Sequence, residues 1–448
     1  MNKLTNFCND LVQKYLPDPF VLAFFLIATI FVSGVIWTPS TPLDMVKFFG
    51  GGLWGMLAFS MQLSFVIISA SAVAQTPPIK KIVKYFARIP KTPTQAVFYV
   101  SFITSLVGLL NWGIALVVGI IYAKEVAREV KGTHFPLLIA ASYAGFTLWS
   151  TGISSSIPLA LNTPGHALEK FVGLIPLTET IFSPYNIILI LVLIFTYAFT
   201  CSAMTPPPEK TISLDPQVFE EEDQLAKANL EQPKFDTIAG KLENSRLISS
   251  LVGVLCLFYF LYSVNKGGIN ALNLNSVNLL TLSIGLLMYK GLVPYLKAAS
   301  TSAKSVIPIM MLYPFYSAIS AMIMNSGLGK MMTNFFASIA TDVTLPVITF
   351  LTAGFINFLI PADGGHLALQ GPIFLPLAEK FGVSRGLISM AITYGANWSN
   401  MIQPFWALPA LALAKLGIRD IMGYCLVVLV VSGVVSSLLF TLLPLIFR

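Results

Sequence analysis

Hydrophobic and polar positions along this chain alternate on the scale of whole segments rather than single turns. Residues 19–43, 48–79, 92–123, 135–165, 180–208, 305–329, 386–414 and 421–447 contain no Asp, Glu, Lys or Arg. About 20 apolar residues in a helix cross the hydrocarbon core of a bilayer. The pattern predicts membrane helices near 20–37, 53–75, 135–158, 181–204, 247–264, 276–289, 305–325, 386–412 and 421–447. Two runs fit neither one span nor two. Residues 92–123 break at Asn111-Trp112-Gly113, and residues 343–378 break at PADGGH, 361–366. Both are expected to be re-entrant helical hairpins, since irregular backbone at that depth is tolerated only inside protein or beside a water-filled cavity. Two crossings are interrupted as well, by WSTGISSSIP (149–158) and NWSNMIQP (397–404).

The elements repeat. Each half reads span, span, hairpin, broken span, span, with one extra span at 247–264. Basic residues orient them, because membrane proteins hold excess Lys and Arg in cytoplasmic loops. Lys80, Lys81, Lys84, Arg88 and Lys91 precede the first hairpin with no acid among them, and Lys124, Arg128 and Lys131 follow it. The first hairpin and the N-terminus are therefore expected to face the cytoplasm, and the second hairpin to enter from outside. The fold expected is an all-α polytopic membrane protein built as an inverted repeat, with two re-entrant hairpins and two broken transmembrane helices. Its first half is 1–204 (hairpin 92–123, broken span 135–158). A cytoplasmic linker occupies 205–246, helical in part near 216–231. The second half is 247–448 (hairpin 343–378, broken span 386–412). Tyr143-Ala144-Gly145 is expected to begin one broken crossing and Tyr394-Gly395-Ala396 the other.

Composition agrees. The 448 residues are 56% hydrophobic and 10% charged, with mean hydropathy +0.78, against about 25% charged in soluble domains. The net charge of +7 belongs to the cytoplasmic loops and does not call for nucleic acid. Cys8, Cys201, Cys256 and Cys425 show no zinc or disulfide spacing. Residues 1–18 mix Lys3, Asp10, Lys14 and Asp18 and lack the pattern of a cleavable leader. The run at 20–37 is read as a retained span. No cofactor is expected.

The breaks carry the candidate chemistry. Helix N-termini at a hairpin tip present free N–H groups and a partial positive charge, which can hold a carboxylate without Lys or Arg. Unwound carbonyls and Asn, Ser or Thr oxygens can hold a small cation. A small monoanion site is expected at Asn111, Trp112, Gly113, Ser154, Ser155, Ser156, Gly364, Gly365, His366, Gln370, Asn397, Ser399 and Asn400. A coupling cation, Na+ or H+, is expected at Asn111, Asn357, Asp363 and Asn397, with no other metal. Asp363 reads either as that cation or proton site or as the cap of the helix after it. His366 reads as a proton relay or as a neutral hydrogen-bonding imidazole. Trp112, Trp149, Trp398 and Trp406 could wall a pocket for a short acyl chain, or simply pack.

Several of these stretches also carry a resemblance. YLPDPFVLAF (15–24), NWGIALVVG (111–119), REVKGTHFPLLIA (128–140), NTPGH (162–166), GLIPLTETIFSPYNI (173–187), INFLIPADGGHLALQGP (356–372) and NMIQPFWALPALALAKLGIRDIMGYC (400–425) resemble the bacterial short-chain fatty acid transporter family (AtoE type), nearly end to end. The resemblance implies a secondary transporter that takes butyrate-like and four-carbon oxo-acid anions across the bacterial inner membrane. Its wider ion-transporter superfamily implies elevator-type homodimers coupled to Na+ or H+. The chain departs from the family at Ala362-Asp363, where the second tip is rich in Ser and Gly, and at TGISSS, where the family is Gly-rich. Two rivals stand beside this reading. One is a transporter or exporter of another small organic or inorganic anion on the same fold. The other is an intramembrane hydrolase built from Ser154–Ser156, His366 and Asp363, against which stands the lack of any G-x-S-x-G or H-E-x-x-H motif.

Overall fold

The computed structural model describes residues 2–153, 155–162, 168–214, 224, 237–271, 274–289, 291–300, 303–361 and 363–446. These residues are helical, with no strand among them. The first half holds α1 Asn2–Tyr15, α2 Pro19–Trp37, α3 Pro42–Gly52, α4 Leu57–Ala74, α5 Pro77–Ala87, α6 Pro93–Leu110, α7 Trp112–Glu129, α8 Phe135–Phe146, α9 Ser156–Leu161 and α10 Pro184–Ser202. The second holds α11 Arg246–Gly267, α12 Leu274–Met288, α13 Leu292–Ser300, α14 Ile307–Ser326, α15 Leu328–Ser338, α16 Leu345–Leu359, α17 Asp363–Phe381, α18 Arg385–Ser399, α19 Pro404–Ala414 and α20 Ile418–Ile446. Among the described residues, seven stretches are long and apolar enough to cross a membrane: Pro19–Trp37, Pro93–Leu110, Phe135–Leu161, Pro184–Ser202, Ile238–Gly267, Ile307–Ser326 and Ile418–Ile446. The chain is a multi-pass membrane protein.

Local chemistry sets the helix starts. Proline occupies the first turn of α2, α3, α5, α6, α8, α10, α14, α16 and α19. Its missing N–H is not needed there and its fixed φ is already helical. Side-chain oxygens accept the free N–H groups that remain: Thr92 from Gln95, Asn111 from Ile114, Ser183 from Asn186, and Ser384 from Leu387.

Some contacts recur between helices ten places apart in the chain. α2 packs on α14, and α12 packs on α4. α8 lies on α6 as α18 lies on α16, and a glycine permits each approach. A Cβ at Gly145 would stand 2.4 Å from the Ser101 carbonyl oxygen on α6, and one at Gly395 would stand 2.0 Å from that of Phe350 on α16. The Tyr143 and Tyr394 triplets therefore lie towards the end of the arm before each break, not at the start of the crossing.

The structure differs from the sequence expectation in four respects. The first hairpin is longer than its apolar run: α7 continues past Ala123 through Lys124, Glu125 and Arg128 to Glu129. Each arm is 18 residues, about 27 Å at 1.5 Å per residue, so length alone does not keep the pair from crossing. In the second hairpin, Asp363, Gly364, Gly365 and His366 are not an unwound tip. They are the first turn of α17, where DGGH offers low helix propensity but no proline to stop the turn. The second broken crossing stays helical through Ser399 and unwinds only at Asn400–Gln403. Finally, two 11-residue helices, α5 and α15, lead into the hairpins. They are too short and too polar on one face to register as spans. The expected linker helix near 216–231 lies outside the described residues, apart from 224.

Candidate functional site

The first break forms where α8 ends at Phe146. A 3-10 turn, Trp149–Thr151, follows, then Ser155 N–H donates to the Gly152 carbonyl at 3.1 Å just before α9. Gly152 lets this turn touch the first hairpin, since a Cβ there would stand 2.4 Å from the Leu109 carbonyl oxygen at the end of α6. The hairpin turns on one residue, Asn111, whose backbone is extended and whose Oδ1 accepts from Ile114 N–H at 3.1 Å. The second break adds Trp406 from the first turn of α19. Trp112, Trp149 and Trp406 then meet pairwise, with ring centroids 5.6–5.9 Å apart. Three separate interruptions thus build one aromatic wall. Trp398 is not part of it. Its indole donates to the Leu429 carbonyl at 2.8 Å and is flanked by Gly354 and Gly433, a packing role.

The second-half tip is a buried polar network centred on His366. Its Nε2 lies 3.0 Å from the carbonyl oxygen of Ile360 and 3.1 Å from Asn357 Oδ1. A carbonyl only accepts, so Nε2 carries the proton. Nδ1 must then accept, and Gln370 Nε2 donates to it at 2.8 Å. Asn357 Nδ2 donates to Ser399 Oγ (2.9 Å) and Asn400 Oδ1 (2.7 Å). The hairpin is tied in this way to the second break. His366 is neutral in this arrangement, with both ring nitrogens engaged. It is not a base poised on Ser155.

Two tyrosines join the halves. Tyr143 of α8 donates to the Asn400 carbonyl at 2.5 Å and to that of Gln403 at 3.4 Å. Tyr394 of α18 donates to Asn186 Oδ1 at 2.8 Å, and Asn186 Nδ2 donates to the Thr151 and Ile181 carbonyls at 3.0 and 2.8 Å. Each broken helix so supplies a hydroxyl that serves the carbonyls of the other half's break, directly in one case and through Asn186 in the other.

Among the described residues, several buried polar atoms have no partner: Trp149 Nε1, Ser150 Oγ, Ser155 Oγ, Gln370 Oε1, Asn397 Oδ1 and Gln403 Nε2. An unpaired buried donor or acceptor costs about 1–3 kcal/mol, and native structures hold few of them. No Lys or Arg lies between Lys131 and Lys170 or between Arg385 and Lys415, so the breaks are lined by neutral groups and helix ends.

The expected site residues divide accordingly. Asn111, Trp112 and Gly113 sit at the first tip, His366 and Gln370 on α17, and Asn357, Asn397, Ser399 and Asn400 around the second break. Asn357 has all its side-chain groups engaged, whereas Asn397 donates to the Thr393 carbonyl and leaves Oδ1 free. Ser155 is buried and Ser156 exposed. Ser154 lies outside the described residues, and the side chains of Asp363, Gly364 and Gly365 are not described. Tyr143 and Asn186 were not anticipated. The signal available was a tyrosine inside an uncharged run, because a buried Tyr hydroxyl needs a partner.

Charged groups flank this region on the loops. Glu129 at the end of α7 pairs with Lys84 and Arg88 of the α5 region at 3.1 Å each. Burial pushes its carboxyl up, but those two cations outweigh it and hold it below the usual range. His134, just before α8, is lowered by burial from 6.5 to about 4. Its Nδ1 accepts from Ile212 N–H at 3.0 Å and its Nε2 meets Tyr424 Oη at 2.8 Å.

Paired broken helices, joined through their unwound carbonyls in an apolar multi-pass chain, define a membrane transport protein. The chain belongs to the short chain fatty acid transporter family, whose profile matches residues 1–443; it is a transporter and not an enzyme. A relative from Escherichia coli (strain K12) is 41% identical over 442 residues, covering 99% of this chain and 100% of its own. One from Haemophilus influenzae (strain ATCC 51907 / DSM 11121 / KW20 / Rd) is 38% identical over 440 residues, covering 97% and 98%. Both carry provisional names as short-chain fatty acid transporters. Among solved structures, the Alcanivorax borkumensis YdaH transporter matches 94% of this chain and 98% of its own at 14% identity and TM-score 0.47. Neisseria gonorrhoeae MtrF matches 98% and 97% at 12% identity and TM-score 0.38. Overlaps this loose carry no argument about the chain.

Proposed function

We propose that this chain is a secondary carrier of short-chain fatty acid anions, butyrate and acetoacetate-like acids, across the bacterial inner membrane. The observation that carries this reading is the convergence of Trp112, Trp149 and Trp406 from three interruptions with no Lys or Arg among them. Such a surface suits a short apolar tail with one negative charge. A di- or tri-carboxylate would call for cationic side chains. A carboxyl with pKa near 4–5 is more than ~99% ionised at pH 7, and its anion crosses lipid poorly, so a carrier has work to do.

Charge balance calls for a coupling cation, Na+ or H+. The unpartnered oxygens Asn397 Oδ1 and Gln370 Oε1 support a cation near the second break, with Asp363 at the start of α17 as its charged ligand. Motion is of the elevator type in this reading. α2–α4 pack with α12–α14, α6–α10 pack with α16–α20, and the short α5 and α15 connect the two groups. Re-entry of both hairpins, opposite orientation of the two halves and homodimer formation belong to the same reading and follow from the charge pattern and the family resemblance.

The test is solute counterflow in proteoliposomes at about pH 8, where leak of the protonated acid is low. Vesicles loaded with unlabelled butyrate should accumulate external label transiently above equilibrium, and protein-free vesicles should not. Overshoot with another small anion but never with butyrate would keep the carrier and replace the substrate. No overshoot with any anion, in folded protein, would sink the reading.

A further inference from the structure

The unpartnered buried groups sort by chemistry once the amide orientations are settled. Gln403 Oε1 accepts from Phe405 N–H at 2.8 Å. The reverse orientation would set two donors against each other, so Nε2 is the end left without a partner. Trp149 Nε1 can only donate, and it too is buried and unpartnered. These are two donors without acceptors. In contrast, Asn397 Nδ2 faces the Thr393 carbonyl and Gln370 Nε2 faces His366 Nδ1, which leaves two acceptors without donors.

The two donors come from opposite halves, and both border the start of one helix. Gln403 is the N-cap of α19, an 11-residue helix. Trp406 lies in the first turn of that helix, and its ring centroid is 5.9 Å from that of Trp149. The Gln403 carbonyl accepts from Tyr143 Oη at 3.4 Å. The start of α19 adds its own partial positive charge. Such a site suits a single carboxylate.

Resting on the carrier reading above, we propose that the substrate carboxylate is bound by Trp149 Nε1 and Gln403 Nε2 at the N-terminus of α19, with its alkyl tail turned towards Trp112 and Trp406. The two indole rings then define the tail, and the two N–H groups define the head. Trp149 is a specificity residue through its N–H and not only through its ring.

The experiment is butyrate counterflow in proteoliposomes for the wild type, Trp149→Phe and Gln403→Glu, with inhibition by unlabelled acetate, propionate, butyrate and valerate. Trp149→Phe keeps an aromatic ring and removes the N–H. A hydrogen bond to a charged group is worth enough that half-inhibition should rise about tenfold, by the same factor for all four acids, because each has the same head. Gln403→Glu keeps the α19 cap, since a carboxylate also accepts from Phe405 N–H, and puts a negative charge at the head site. It should lose butyrate counterflow while eluting as a monodisperse protein in detergent. A Trp149→Phe loss that grows with chain length would assign this residue to the tail and overturn the proposal. So would wild-type half-inhibition in both variants. No butyrate counterflow in the wild type would overturn the carrier reading itself, a result distinct from either of those.

Discussion

Tyr143 Oη donates to the carbonyl oxygen of Asn400 at 2.5 Å, so a residue at the end of one broken helix satisfies the first unwound carbonyl of the other. A helix that stops inside an apolar environment leaves its last carbonyls without partners, and water is not there to take them. The repeat answers this by lending a hydroxyl across the halves. Tyr394, acting through Asn186 on the Thr151 carbonyl, is the corresponding arrangement in the opposite direction.

Removing the Tyr143 hydroxyl should therefore weaken the fold rather than simply empty a contact. Tyr143→Phe keeps the ring on Phe146 and leaves the Asn400 carbonyl with the Gln403 N–H, at 3.2 Å, in place of two donors. The expected loss is the net value of one hydrogen bond, about 1 kcal/mol. Thermal unfolding in detergent should show a correspondingly lower midpoint. A melting temperature unchanged from wild type would mean the hydrogen bond contributes nothing.

Much of this was legible in the sequence, for a physical reason. Proline, glycine and asparagine inside an uncharged run mark where backbone groups leave the helix ladder, and both breaks and both hairpin turns fall at such residues. The reciprocal tyrosine bonds were not legible. Tyr143-Ala144-Gly145 shows that two segments correspond, but a hydroxyl's partner 257 residues away depends on how the halves dock. The extent of α7 was also hidden. Lys124, Glu125 and Arg128 end the apolar run, yet the helix continues to Glu129, whose carboxylate pairs with Lys84 and Arg88 at that polar end. The His366 network was half legible: the residues stand out as polar atoms in an apolar run, while the neutral tautomer follows only from the Ile360 carbonyl against Nε2.

The sequence reads Asp363 either as a helix cap or as a cation or proton site, and one substitution separates the two. Asp363→Asn keeps a side-chain oxygen able to cap the start of α17, so stability in detergent should stay within about 0.5 kcal/mol of wild type. The same substitution removes the charge, and stimulation of butyrate counterflow by Na+ or by a proton gradient should disappear. Persistence of that stimulation would leave Asp363 as a cap and move coupling to the neutral oxygens.

His134 gives the fold a pH dependence with a definite sign. It is buried, its Nδ1 accepts from Ile212 N–H, and its Nε2–H is left to donate to Tyr424. Protonating Nδ1 would set it against the Ile212 N–H and detach the segment after Pro208 from the start of α8. Burial lowers the folded value to about 4 from an ordinary 6.5. Between these two values the unfolded chain binds the proton and the folded chain does not, so stability rises with pH there. The stabilisation is fully present above pH 6.5 and is lost as pH falls towards 4. The melting temperature at pH 5 should lie below that at pH 7.5. His134→Gln can still accept from Ile212 and does not titrate, and it should narrow that difference. An equal fall in both proteins would put the acid sensitivity elsewhere, on carboxylates such as Glu129, whose pairs with Lys84 and Arg88 weaken when it is protonated.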